Sequence, residues 1–188
     1  MARMTLSSLD PLTQEQRAVC DMTAAGLRGK IPTPMVAWLR NPELAYRAQH
    51  LGELLRFQTS LQPKLVELAI LVCARHWTSH HEWTAHKTLA LKAGLDLNII
   101  QCIASHRPPY FLDDAESLIY EISMSLLTTQ RLTSSLYQRA IASLGEKAVV
   151  ELIAILGYYC MVSLTLNAFE LGLPDNIAAE LGDVDVSA

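Results

Sequence analysis

The chain has 188 residues, a formal net charge of −4 and a hydrophobic fraction of 51%. This length and hydrophobicity suffice for a buried core, so they exclude an intrinsically disordered chain. The net negative charge and the absence of a basic run argue against a nucleic-acid-binding protein and favour small molecules or proteins as partners.

The cysteines are scattered and form neither a C-x-x-C pair nor a metal-ligand spacing, which is typical of reduced cytosolic thiols. They are Cys20, Cys73, Cys102 and Cys160. The segment from Met1 to Arg17 is polar and lacks the apolar stretch of a signal peptide. We therefore expect a cytoplasmic protein.

Helical periodicity runs along the chain, and the alternation typical of strands is missing, so the sequence predicts an all-α fold. The predicted helices are separated by glycine, proline, serine and threonine. In chain order they span Thr13–Ala25, Glu43–Gln58, Gln62–Trp77, His80–Ala93, Leu97–Ile103, Asp113–Thr129, Ser134–Leu144 and Glu146–Leu171.

A weak internal repeat relates residues 60–71 to residues 144–156, with Glu67 matching Glu151. The repeat predicts two related helical halves. The stretch Val149–Leu166 is apolar enough to raise the question of a membrane span, but it contains Glu151 and two tyrosines and lacks a cationic flank after it. We interpret it as a buried helix, and its apolar surface favours a homo-oligomer without membrane contact.

Residues 79–86 read Ser-His-His-Glu-Trp-Thr-Ala-His and concentrate the reactive side chains of the chain. On a helix, Ser79, Glu82 and His86 share one stripe. Ser79 and Glu82 also match a capping box, in which each side chain binds a backbone N–H at the helix start. Trp83 fits a core or interface position.

Glu67 is the one charged residue between Lys64 and Arg75 in a helix that is apolar on nearly every side. A buried carboxylate either finds hydrogen-bond partners or stays protonated. The matching Glu151, which has no histidine cluster, favours a structural role for Glu67, whereas a buried carboxylate also suits proton transfer. We keep both interpretations of Glu67. For His86, the carboxylate of Glu82 at i−4 and the two nearby histidines favour a functional role.

A catalytic metal is disfavoured although four of the six histidines lie between His76 and His86. His81 and His86 are one residue too far apart for the His-Glu-x-x-His zinc motif, which places their side chains on different faces of a helix. We expect no metal and no organic cofactor.

Glu67, followed after fourteen residues by Glu82-Trp83-x-x-His86 and then by Ala93-Gly94-Leu95, resembles the carboxymuconolactone decarboxylase family, which includes the alkylhydroperoxidase D-like proteins. The resemblance covers residues 42–126 well. It implies a single alkylhydroperoxidase D-like helical bundle, with 1–41 as an N-terminal extension, 42–126 as the family core and 127–188 as a second helical half. It also implies a trimer or hexamer.

The peroxidase branch of that family carries a C-x-x-C pair where this chain has Ser79 and Glu82. Because neither residue supports thiolate chemistry, the resemblance favours the decarboxylase branch, acting on a small carboxylated lactone. In that branch His86 and His81 would anchor and polarise the substrate, and Glu67 or Glu82 would carry the proton, with Ser79 and Trp83 beside the substrate. The alternatives are a thiol-dependent antioxidant protein and a non-catalytic binding or assembly protein.

Overall fold

A computed structural model describes residues 2–173 and 176–182, and within these ranges the regular structure is entirely helical. This confirms the predicted all-α class. A 3-10 helix covers Ser7–Leu9, and the α-helices are α1 (Gln14–Ala25), α2 (Met35–Trp38), α3 (Pro42–Phe57), α4 (Pro63–His76), α5 (His80–Lys92), α6 (Leu97–Ala104), α7 (Asp114–Thr129) and α8 (Ser134–Ala168). Pro174, Asp175 and residues 183–188 of the predicted second half lie outside the described residues.

The helix bounds follow local chemistry. Side chains of Thr13, Asn41, Asp113 and Thr133 accept hydrogen bonds from the first turns of α1, α3, α7 and α8, as N-terminal caps do. Gly145 interrupts α8 with a φ of 81°, at the boundary predicted between two helices, because glycine tolerates this left-handed region. Sequence periodicity missed α2, which is only one turn long.

Helix α4 lies at the centre of the molecule and packs against α5, α7 and α8. Every residue from Leu65 to Arg75 is buried, which confirms the prediction of a buried helix. Its carboxylate at Glu67 is therefore held inside the protein, where it needs a partner.

The connection between α4 and α5 is a tight turn that sends α5 back along α4. Thr78 adopts a left-handed φ of 46°, the backbone N–H of Ser79 donates to the carbonyl of Ala74 at 2.8 Å, and Arg75 donates to the Thr78 hydroxyl at 3.0 Å. This is the hydrogen-bond pattern of a left-handed helix end. It brings the first turns of α5 alongside the middle of α4.

The N-terminal extension packs on the rest of the bundle. Gln16 of α1 donates to the backbone carbonyl of Leu39 at 3.0 Å, and the indole N–H of Trp38 donates to the Thr165 hydroxyl of α8 at 3.1 Å. Both contacts involve buried side chains. The first bond joins α1 to the residue after α2 within the extension, and the second joins α2 to α8. Because α1 and α2 also pack against α3, the loop between them is held against the bundle.

Helix α8 is long and apolar enough to cross a membrane, with a mean hydropathy of 1.9 over its most apolar 18 residues, half of which are buried in the protein. Soluble core helices meet the same criterion, so the finding is weak support for a span. Glu151 within it accepts hydrogen bonds from the backbone N–H and hydroxyl of Ser60 at 2.7 and 2.5 Å. Glu151 therefore joins α8 to the loop before α4.

Candidate functional site

The centre of the site is His86, which lies between two carboxylates. Its Nδ1 is 2.6 Å from Oε2 of Glu67 on α4, and its Nε2 is 3.3 Å from Oε2 of Glu82, one turn earlier on α5. All three residues are less than 8% exposed. The tight turn at Thr78 makes this meeting possible, because it lays the first two turns of α5 against Glu67.

The electrostatics of this cluster favour its charged forms. Burial alone would lower the pKa of His86, but the hydrogen bonds to Glu67 and Glu82 outweigh it and raise that pKa to about 9. Burial opposes ionisation of Glu82, yet the hydrogen bond and charge of His86, with the charges of His81 and Arg28, lower the pKa of Glu82. At neutral pH the cluster therefore holds an imidazolium beside the ionised Glu82.

This arrangement predicts a stability that falls at alkaline pH. A histidine whose folded pKa lies above its unfolded value of about 6.5 stabilises the fold fully below that value and loses the contribution as pH rises through the folded pKa. We expect the free energy of unfolding to drop by about 3 kcal/mol between pH 6.5 and pH 9.5 through this group. Denaturant unfolding of wild type and His86→Gln across this window measures it.

Subtracting the His86→Gln profile from the wild-type profile gives the contribution of His86. The cysteines and other titrating groups are present in both proteins, so their contributions cancel. His50→Gln serves as the matched control, since His50 is an exposed histidine of α3 outside the cluster. Parallel profiles for wild type and His86→Gln would contradict the raised pKa.

His86 and Glu82 open onto a cavity of about 620 Å³. Helix α5 forms one wall, Tyr158, Tyr159 and Val162 of α8 form another, and residues 27–34 of the N-terminal extension form a third. The Tyr159 ring meets the His86 ring edge to face at 5.0 Å, and its hydroxyl is buried without a hydrogen-bond partner. Burial raises the pKa of Tyr159, so this hydroxyl remains a donor.

Cations dominate the described lining of the cavity. Arg28, Lys30 and Arg56 line it together with the protonated His86, whereas Glu82 is the one carboxylate there. Nε and Nη2 of Arg28 are buried without hydrogen-bond partners. Buried guanidinium N–H groups without an acceptor are costly, so an anionic ligand has a ready place in the cavity.

Gly52 of α3 makes room for the side chains of Arg28 and Tyr158. A methyl group at this position would overlap the hydroxyl of Tyr158 and Nη2 of Arg28. The Tyr158 hydroxyl and the Arg28 guanidinium therefore lie directly against the backbone of α3. The close approach explains a glycine in the interior of a helix, where it otherwise weakens the structure.

The predicted site residues fall into two groups. His81, Glu82 and His86 line the cavity, and Glu67 lies behind His86. Ser79 and Trp83 are 1% exposed and are not among the described lining residues; Trp83 points its indole N–H toward Glu180 at 3.5 Å. The structure thus separates the two predicted substrate contacts from the cavity.

The capping box predicted for Ser79 and Glu82 is wrong. Ser79 occupies the N-cap position, but its side chain makes no capping hydrogen bond, and its hydroxyl is buried without a partner. The Glu82 carboxylate lies beside His86 instead. The ion pair with the imidazolium competes successfully with the backbone N–H because both charges are shielded from water.

Sequence reasoning missed Arg28, Arg56 and Tyr159. Arg28 belongs to a loop outside the repeat and outside the region of family resemblance, and Arg56 and Tyr159 lie in helices far from the octad at 79–86. One signal was available: Arg28 stands between Gly26 and Gly29, and such a pair marks a chain turn that presents its side chains to the rest of the fold.

Among residues 2–173 and 176–182, the His, Cys, Asp and Glu side chains form no group of three or more that is placed to hold a metal ion. No protein-family model and no curated protein matches this sequence.

Proposed function

We propose that this protein is a carboxymuconolactone decarboxylase-like enzyme with an alkylhydroperoxidase D-like helical bundle. It would act without metal or organic cofactor on a small carboxylated, lactone-type metabolite. The observation that carries the proposal is the buried Glu67–His86–Glu82 cluster opening onto a cationic cavity. The sequence resemblance, which includes the same three residues, is consistent with it.

The charge of the cavity argues for an anionic substrate. Arg28, Lys30, Arg56 and protonated His86 face one carboxylate, that of Glu82. A site with low-dielectric walls strengthens attraction to an anion. Apolar residues complete the lining, among them Trp38, Phe57 and Leu89, so the ligand we infer is a small anion with an apolar body.

The proposed reaction begins with cleavage of the bond between the substrate carbon and its carboxylate. Carbon dioxide leaves, and the electron pair of that bond passes into the lactone to form a dienolate. His86 then donates its Nε2 proton to the carbon, which completes the product. Neutral His86 recovers a proton from water, because Glu67 and Glu82 favour the imidazolium.

The movement of negative charge during decarboxylation suggests where Arg28 contacts the substrate. Decarboxylation moves negative charge from the carboxylate to the dienolate oxygen, so a donor accelerates the step only if it binds the oxygen on which charge develops. We therefore assign the unpartnered Nε and Nη2 of Arg28 to that oxygen. The departing carboxylate would lie on the apolar side of the cavity, where its charge is less stabilised.

The test is incubation of the protein with a panel of carboxylated lactones in D2O. Release of carbon dioxide and incorporation of one deuterium per product, observed by NMR, are the expected results. The matching lactone methyl esters, which cannot lose carbon dioxide, serve as unreactive controls. Binding of the lactone acids without turnover would instead identify a non-catalytic binding protein. Repeated, reductant-dependent turnover of hydroperoxide without decarboxylation would identify an antioxidant protein.

We also propose that the protein is a cytoplasmic homo-oligomer, a trimer or hexamer. Val150 and Ile153, in the turns of α8 that follow Gly145, are 66% and 45% exposed. Large exposed apolar side chains of this kind mark contact surfaces.

We expect light scattering at micromolar concentration to give the mass of several chains. The double change Val150→Glu and Ile153→Glu should reduce that mass to one chain, because it places like charges across a symmetric contact. Arg131→Glu, an exposed charge change in the loop before α8, is the control. A wild-type monomer would contradict the proposal.

A further inference from the structure

Two of the cysteines meet outside the cavity, across the contact of α4 and α8. Sγ of Cys73 lies 3.6 Å from Sγ of Cys160. Cys73 is fully buried, and Cys160 is partly exposed. Both are thiols in this structure. Since a disulfide requires about 2.05 Å between the sulfur atoms, a small side-chain adjustment would join them.

The surroundings of Cys160 suit a thiolate. The indole N–H of Trp77, in the turn after α4, donates to Sγ of Cys160 at 3.2 Å, and the thiol of Cys73 is within hydrogen-bonding reach on the other side. These hydrogen bonds, that of Cys73 first, lower the pKa of Cys160 to about 6 against the opposing effect of burial. The hydrogen-bonding contact with Cys160, followed by burial, raises the pKa of Cys73. The pair is therefore asymmetric.

We propose that Cys160 and Cys73 form an oxidant-sensitive dithiol, in which Cys160 reacts with hydroperoxides and Cys73 closes a disulfide that joins α8 to α4. The asymmetry assigns the order of attack, because the thiolate is the nucleophile and must be reachable. The assignment rests on the two contacts of Cys160 and its partial exposure. It is independent of the cavity and of the proposed decarboxylation.

The chemistry balances in two steps. The Cys160 thiolate attacks the terminal oxygen of a hydroperoxide; the O–O bond breaks, the sulfur becomes a sulfenic acid, and the alkoxide or hydroxide leaves as alcohol or water after taking up a proton. The Cys73 sulfur then attacks the sulfenic sulfur, forming the S–S bond and releasing water. Two electrons pass from the thiol pair to the hydroperoxide, and an added dithiol reductant reverses the oxidation.

The test uses the purified full chain, reduced, freed of reductant and treated with one equivalent of hydrogen peroxide. After alkylation of the remaining thiols and trypsin digestion, mass spectrometry should find the peptide Leu65–Arg75 linked to the peptide that begins at Ala148. Dithiothreitol should separate them. In Cys73→Ser, dimedone should trap a sulfenic acid on Cys160, and Cys160→Ser should leave Cys73 unreacted.

A second readout follows the pH dependence of iodoacetamide alkylation. Cys102, also partly exposed, is the matched reference thiol. We expect Cys160 to be alkylated about tenfold faster than Cys102 at pH 6, because its larger thiolate fraction outweighs its lower intrinsic nucleophilicity. Trp77→Phe keeps the ring and removes the N–H donor, so the inflection of the Cys160 profile should move to higher pH.

Three results would overturn the proposal: no linked peptide after oxidation, equal alkylation of Cys160 and Cys102 at pH 6, or a disulfide formed between two chains. Failure of the decarboxylation proposal is separable, because Cys73→Ser and Cys160→Ser should both keep lactone turnover within a few fold of wild type. Circular dichroism melts of every variant show that each is folded before its reactivity is scored.

Discussion

Replacing Glu67 with Gln or His86 with Ala is expected to reduce lactone turnover by about 100-fold or more, the scale of a lost general acid. Without the Glu67 charge, the pKa of His86 falls and less imidazolium is present at neutral pH. Without His86, the dienolate has no positioned proton donor. The double variant should be little worse than either single variant, because residues that act as one unit are not additive.

Glu151→Gln is the matched control for this experiment. Glu151 is the counterpart of Glu67 in the sequence repeat. Its carboxylate accepts hydrogen bonds from Ser60 and makes no hydrogen bond with the cluster. Its substitution should change stability more than turnover. Two folded variants at positions 67 and 86 with wild-type turnover would refute the catalytic role of the cluster.

Arg28→Met is expected to lower kcat/KM for a carboxylated lactone by about 100-fold to 1000-fold, the usual effect of removing a donor to a developing oxyanion. The melting temperature of Arg28→Met should be equal to or higher than that of wild type. The Nε and Nη2 groups of Arg28 are buried without acceptors, and their removal abolishes an uncompensated desolvation cost. Thermal melts and turnover are measured on the same protein samples.

Arg47→Met is the control, because Arg47 is exposed on α3 and pairs with Glu43. A second measurement tests the anion directly: succinate should raise the melting temperature of wild type, but not that of Arg28→Met. An Arg28→Met protein that is folded and fully active would exclude Arg28 from the reaction.

The sequence predicted the helices because their apolar periodicity and their punctuation by glycine and proline are local signals. Gly145 illustrates this: the left-handed residue that interrupts α8 lies where the sequence predicted the end of one helix and the start of the next. The proximity of Glu82 and His86 is also local, as it needs only helical spacing. The pairing of Glu67 with His86 depends on the turn at Thr78, which no periodicity specifies.

The remaining features depend on contacts between distant segments. Arg28 and Tyr159 reach the cavity because α1, α2 and α8 each pack against α3, and a single sequence carries no record of that packing. The capping box failed for a related reason. A Ser-x-x-Glu pattern describes only the local competition for backbone N–H groups. His86, which α5 places against Glu67, offers Glu82 a charged partner in a buried setting.

The wall formed by residues 27–34 determines how the ligand preference of this cavity can change through substitution. The groups that would transfer the proton sit on α4 and α5, in the interior, where few substitutions are tolerated. The groups that would select the ligand sit largely on a connecting loop, where many substitutions are tolerated. Exchange of this loop would thus alter which anions are accepted, and through Arg28 the contact to the developing oxyanion, while leaving the Glu67–His86–Glu82 cluster intact.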